Sequence, residues 1–249
     1  KGVVTAFRGN NVYLQDSDGG YYAFKATAVP ETLAVGMEVK VTGVKDVYKS
    51  FETAKFALDE IVNATIVITN ATPATVAPVD VTSKVGNEDE LKVLQNTLTI
   101  VKGVTITSVK TTQSGGKDRT NVTLTIDGKT ITFYIGGSQV VDATQQNAIT
   151  ESFKANEGKT VDVTALVSLF SNTAQLIPAN AEPITNIHTD VAVQLPVPVV
   201  EIDDNGVVTV TVDANAVKAV YTIGDATEPV DYDANNKPVL TKGQTITVT

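Results

Sequence analysis

Cysteine and tryptophan are absent from this 249-residue chain, and histidine and methionine occur once each. Without cysteine there is no disulfide, no thiolate zinc site and no thiol nucleophile; the compartment stays open. The single histidine, His188, has no second imidazole with which to share a metal, and a catalytic triad needs its histidine set among specific partners. It stands beside Thr189 and Asp190 at a module boundary and reads as a linker residue. No apolar run approaches the length that crosses a bilayer. Concentrated positive charge is also missing. Residues 1–75 hold seven Lys/Arg against eight Asp/Glu, residues 76–188 nine against eleven, and residues 189–249 three against nine, so most of the net charge of −9 falls in the last quarter. Tight binding to nucleic acid needs Lys and Arg massed against phosphates. Only the first segment, the least acidic, leaves room for it. No leader-type segment is visible, and Lys1 already stands within a strand pattern, so a leader is expected to have been removed.

What is present is valine and threonine, alternating over long stretches in the manner of β-strands. The pattern occurs twice. "GVVTAFRGNNVYLQDSDGGYYAFKA" is followed by "LAVGMEVKVTGVKDVYKSFETAKFALDEI"; about a hundred residues later "LTIVKGVTITSV" and "NVTLTIDGKTITFYIGG" are followed by "FKANEGKTVDVTALVSLFSNTAQLIPANAEPI". Each copy has a strand, a hairpin, a glycine before a long strand (Gly36, Gly158) and an aromatic turn. A repeat of this length means two copies of one module.

Residues 1–75 form the first module. Its strands are expected at 3–7, 12–15, 21–25, 38–44 and 56–62, with a turn at Asp16-Ser17-Asp18-Gly19-Gly20 and an irregular or short helical crossing at 28–33, broken by Pro30. Five strands with a short connection between the third and fourth describe an OB-fold. Residues 76–96 read as an exposed, extended linker with a short helix capped by Asn87. Residues 97–188 form the second module, with strands at 98–108, 121–126, 130–135, 160–169 and 174–177 and a helix at 143–154. Asp127-Gly128 closes a hairpin, and 111–120 reads as a long mobile turn. Residues 189–249 form a small third module behind the stiff "LPVPVV" lead-in. Its strands are expected at 207–212, 217–223 and 245–248, with turns at Asp203-Asp204-Asn205-Gly206 and Asp213-Ala214-Asn215. The expected architecture is all-β: two consecutive OB-fold barrels and a small C-terminal β-sandwich.

Tyr13, Leu14, Gln15, Asp16, Gly19, Gly20 and Tyr21, followed by Gly36, Val39, Val41, Gly43 and Tyr48, make a pattern that resembles the OB-fold modules of bacterial extracellular and surface proteins, including those beside secreted endonucleases. The second module looks like a divergent copy, with Gly158, Val161 and Val163 in the corresponding roles and no "YLQD". In the tail, Tyr221, Thr222, Gly224, Asp225 and Pro229 make a segment that resembles the small immunoglobulin-like domain at the C-terminus of chitobiase-type glycosidases. The resemblances imply accessory, non-catalytic roles at the cell surface or outside the cell.

OB-folds bind oligonucleotides or oligosaccharides over strands two and three, where aromatic rings stack on bases or sugars. If Val12 and Leu14 fill the barrel, Tyr13 and Gln15 face outward, and Tyr21 and Tyr22 point to opposite sides. The candidate ligand-binding residues are therefore Tyr13, Gln15, Tyr21, Lys25, Tyr48 and Lys49, set against the alternative that most such aromatics simply cover the barrel or the neighbouring module. Asp16 and Asp18 are the candidate metal ligands, for calcium. They lack the regular acid spacing and terminal bidentate glutamate of an EF-hand, so a plain hairpin turn is preferred. The same holds for Asp225, Asp231, Asp233, Asn235 and Asn236. In the tail, Tyr232 is the candidate exposed ring. No nucleophile–base set or phosphate-cradling loop is visible. The expected function is a non-catalytic binding or spacing protein with a polysaccharide or protein partner and no cofactor. The alternative is a nucleic-acid-binding accessory region of a secreted nuclease, and an enzyme in its own right is disfavoured.

Overall fold

The first alternating runs build a barrel. The computed structural model describes residues 1–136, 141–188, 197–212 and 219–248. Strands β1 (Gly2–Arg8), β2 (Asn11–Asp16), β3 (Gly19–Ala23), β4 (Glu38–Tyr48) and β5 (Leu58–Asn70) close in the order β1-β2-β3-β5-β4. Val4, Val12, Leu14, Val39 and Ile66 fill its interior, with Leu33 from the irregular crossing.

A two-residue strand β6 (Val79–Asp80) and a short helix α1 (Glu88–Lys92) precede the second barrel. Here the extended-linker reading needs correction. The stretch 71–80 is largely exposed, but Val81, Val85 and Leu91 are then fully buried, because β6 pairs in parallel with the next strand and leads the chain across that barrel. Asn87 caps α1, its side chain accepting from the Glu90 N–H. The second barrel comprises β7 (Leu98–Ser114), β8 (Lys117–Ile126), β9 (Lys129–Ile135), β10 (Thr160–Phe170) and β11 (Thr173–Pro178), in the order β7-β8-β9-β11-β10 and closed by pairing of β10 with β7. A further strand, β12 (Ile184–His188), extends it along β10. Between β9 and β10 lies α2 (Ala143–Ala155), held by an Asp142–Gln145 capping box and packing Ile149 and Phe153 into the core.

The two barrels agree bond for bond where the repeat predicts it. Gly36 has φ +90° and Gly158 φ +85°. The Gly36 N–H donates to Val4 O, and the Val4 N–H donates to Met37 O; the Gly158 N–H donates to Ile106 O, and the Ile106 N–H to Lys159 O. One residue later both first strands bulge, between Val4 and Ala6 and between Ile106 and Ser108. A bulge bends a strand, which lets β1 and β7 each serve two neighbours around a closed barrel. Leu14 thus corresponds to Leu124, and Val39 to Val161.

The segment read as a long turn is paired ribbon. β7 and β8 stay paired out to Ser114–Lys117, and Gly115 and Gly116, with φ +60° and +70°, form the two-residue turn. Positive φ at both central residues matches the right-handed strand twist, and the flanking threonines pair across it, with Thr111 and Thr120 hydroxyls 2.8 Å apart. β4 and β5 likewise run longer than expected.

Both barrels belong to one unit, Lys1–Thr189; Asp190–Thr249 form another. The second unit has two small antiparallel sheets, β13 (Val199–Ile202) with β14 (Val208–Thr211), and β15 (Val220–Ile223) between β16 (Val230–Asp231) and β17 (Ile246–Val248). Asp203 Oδ1 accepts from Asn205 N and Val207 N and closes the β13–β14 hairpin as expected. The core is small: Val208, Val210 and Ala219, with Tyr232, Leu240, Ile246 and Val248 against them. Tyr232 was expected to be an exposed ring. Instead it packs on this core and its hydroxyl accepts from Val210 N at 3.1 Å. The turn expected at Asp213-Ala214-Asn215 lies outside the described residues.

Candidate functional site

Alternation sends Tyr13 out of the first barrel, as expected, and Tyr22 with it, but not into solvent. They are cross-strand partners, and their rings stack 4.2 Å apart at 7°. Each is only 1% exposed, because the second barrel covers them, and Ala6, Phe56 and Leu58 join them in the second barrel's hydrophobic cluster. The corresponding positions of the second barrel are the Thr123–Thr132 pair. The first barrel's β2–β3 face is thus a packing surface, and this corrects the expectation that Tyr13 and Gln15 present an open platform. Burial drives the Tyr13 and Tyr22 hydroxyl pKa values far up, so both stay protonated.

Polar groups seal the junction. Gln15 Oε1 accepts from Leu98 N at 3.0 Å, Asn96 Nδ2 donates to Asp59 O at 2.9 Å, and Asp59 N donates to Gln95 Oε1 at 2.7 Å. Phe56 N donates to Ser171 O, and Lys55 N to Asn172 Oδ1. These last bonds join the two aromatic turns that the sequence repeat had paired. Gly20 is required here for closeness of approach: a Cβ would lie 2.3 Å from Asn96 C and Thr97 N.

Beyond the stacked tyrosines the barrels diverge and leave a cleft of about 280 Å³. From the first barrel it is lined by the edge of Tyr13 and by Phe24, Tyr48, Leu58 and Glu60; from the second by Arg119, Tyr134, Ser168, Phe170, Gln175 and Ile177, among others. Tyr48 and Phe170 stand at 46% and 49% exposure, apolar rings that remain in water. Arg119 Nη1 donates to the Tyr134 hydroxyl at 3.0 Å. Among the described residues Arg119 has no carboxylate within ion-pair distance, and the Glu60 side chain makes neither a hydrogen bond nor an ion pair, although the residue is only 9% exposed. Burial raises the Glu60 pKa, and the charge of Asp46, its cross-strand partner, adds to this, with Lys25 partly opposing. Asp46 itself is exposed, and its Oδ1 accepts from Val47 N.

The remaining expected residues are scattered. Tyr21 packs against the first barrel's core and lines a separate cleft beside Lys45, Asp59 and Glu60. Lys25 is exposed with Nζ 4.8 Å from the Phe24 ring, and Lys49 is exposed on the β4–β5 turn. Asp16 Oδ1 accepts from Asp18 N, the hydrogen bond of a plain turn, and no group of three His, Cys, Asp or Glu side chains suited to a metal occurs among the described residues. His188 is a strand residue on β12, its Nε2 2.7 Å from Asp162 Oδ1. Burial alone would raise Asp162; hydrogen bonds from His188, the Gly103 N–H and Asn186 outweigh it and hold the carboxyl below its usual range.

Glu60, Arg119, Tyr134 and Phe170 are absent from the sequence-based set. Arg119 fell in the stretch read as a turn, and nothing short of the packing of one barrel on the other brings it to Glu60's cleft. Comparison with family models, with curated proteins and with solved structures finds no match to this chain.

Proposed function

We propose that this chain is a non-catalytic binding protein, exported or at the cell surface, that holds a polysaccharide in the cleft between its two barrels. The observation that carries the reading is the pairing of exposed rings, Tyr48 and Phe170, with the polar side chains of Glu60, Arg119 and Gln175 in one concave site, Arg119 spending one donor on the Tyr134 hydroxyl and keeping the others. Ligand sites combine apolar lining with a few convergent polar groups, and sugar rings offer both an apolar face and hydroxyls. Glycoside hydrolysis ordinarily takes two carboxylates flanking one bond. Among the described residues the cleft's lining holds one, Glu60, which supports binding over turnover. On this reading the barrels are OB-fold modules of the surface-protein type, and residues 190–249 are an immunoglobulin-like spacer, in keeping with a tail whose Tyr232 belongs to its core.

The nucleic-acid alternative is less well supported. The β2–β3 face of the first barrel is covered, Gln15 is engaged, and Lys25 and Lys49 do not line the cleft. The test is affinity electrophoresis of the full chain through gels containing different polysaccharides, with single-stranded DNA run in parallel. Retardation by a polysaccharide, reduced in Tyr48→Ala and Phe170→Ala, is the expected result. Retardation by DNA alone, or by nothing, would refute the proposal.

A further inference from the structure

Two opposite charges share this cleft without neutralising each other. Arg119 reaches it from β8 and Glu60 from β5, and no ion pair joins them. Of the guanidinium's five donors, one is used on Tyr134. The carboxylate uses none of its acceptor capacity within the described residues. Among the described residues no other Asp, Glu, Lys or Arg lines the cleft, so its described lining carries one positive and one negative group and no net charge.

We infer that the cleft selects a neutral sugar unit, whose hydroxyls accept from Arg119 and donate to Glu60 while one ring face lies on Tyr48 or Phe170. This rests on the polysaccharide reading above and names its ligand class. A hydroxyl both donates and accepts, so adjacent hydroxyls on one ring can serve a guanidinium at one end and a carboxylate at the other. An acidic sugar would satisfy Arg119 but set its own carboxylate in the same partly dry cleft as Glu60, where like charges repel strongly. A basic sugar would meet Arg119 in the same way. The cleft volume of about 280 Å³ falls just below the range of small-molecule sites, on the order of 300–1,000 Å³, so it accommodates a short stretch of chain and not a folded partner.

The experiment is isothermal titration of the full chain with xylohexaose, cellohexaose and mannohexaose as neutral probes and hexagalacturonate as the acidic one. It is repeated with Arg119→Gln and Glu60→Gln, each first checked by thermal melting. At least one neutral probe should bind at least tenfold more tightly than hexagalacturonate, and each substitution should weaken that binding tenfold or more. Equal or tighter binding of hexagalacturonate, or neutral binding indifferent to both substitutions, overturns this inference and leaves the polysaccharide reading standing. No binding of any of the four, together with no retardation in polysaccharide gels, overturns both.

Discussion

Replacing Gly20 with alanine adds a single methyl group where the two barrels come closest. Gly20 does not have positive φ, so the backbone itself accepts alanine and only the contact is tested. The new carbon would stand 2.3 Å from Asn96 C and Thr97 N and 2.4 Å from Asn96 O. Carbon contacts are comfortable near ~3.5 Å, and the offending atoms are backbone. Relief therefore requires the barrels to part locally by about 1 Å. Overpacking of this kind costs about 1–3 kcal/mol. The same movement stretches the 3.0 Å bond from Leu98 N to Gln15 beyond useful length, a further loss of about 1 kcal/mol. A total of about 2–4 kcal/mol corresponds to a fall in Tm of roughly 5–15 °C for a unit of this size. Scanning calorimetry of the full chain measures it. With no tryptophan present, tyrosine fluorescence reports the loosening of the Tyr13–Tyr22 stack. A variant melting within about 1 °C of the parent would show that the junction does not close as described.

Glu60→Gln should stabilise the fold at neutral pH. The folded-state pKa is raised, so ionisation favours the unfolded chain; the gain should vanish in acid below the usual carboxylate range and grow as pH rises through the folded pKa. Parallel melts across that range check the sign, and a variant equally or less stable at neutral pH contradicts it. In the tail, Tyr232→Phe leaves Val210 N without its partner and should cost about 1 kcal/mol; Tyr232→Ala also strips a ring from a very small core and should cost about 2 kcal/mol or more. Both should act on residues 190–249 without lowering the melting of the barrels, which amide exchange resolved along the chain will read. Gly116→Val places a branched side chain at φ +70° and should cost about 1–2 kcal/mol, whereas Gly115→Asn should be tolerated; indistinguishable melts for the two variants would refute the turn assignment.

Strand positions, the α1 cap and the correspondence of Gly36 with Gly158 were legible in the chain because each is set locally. β-branched alternation defines a strand, Asn87 offers the first turn an acceptor, and only glycine readily takes φ near +90° before a long strand. Even the outward direction of Tyr13 followed from the period of two. What covers an outward face is a different matter. Tyr13 and Tyr22 could be a sugar platform or a packing surface on the same pattern, and the second barrel's arrival against Gly20 decided for packing. The hydrophobic effect has no direction of its own, so a strand pattern marks which residues leave water without naming what they meet. The burial of Val81 and Leu91, the inward turn of Tyr232 and the meeting of Glu60 with Arg119 across a cleft all depend on segments far apart in the chain. The sequence by itself determined two barrels and a small β tail; tertiary packing alone decided which aromatic face was consumed in joining the barrels and which cleft was left open beside it.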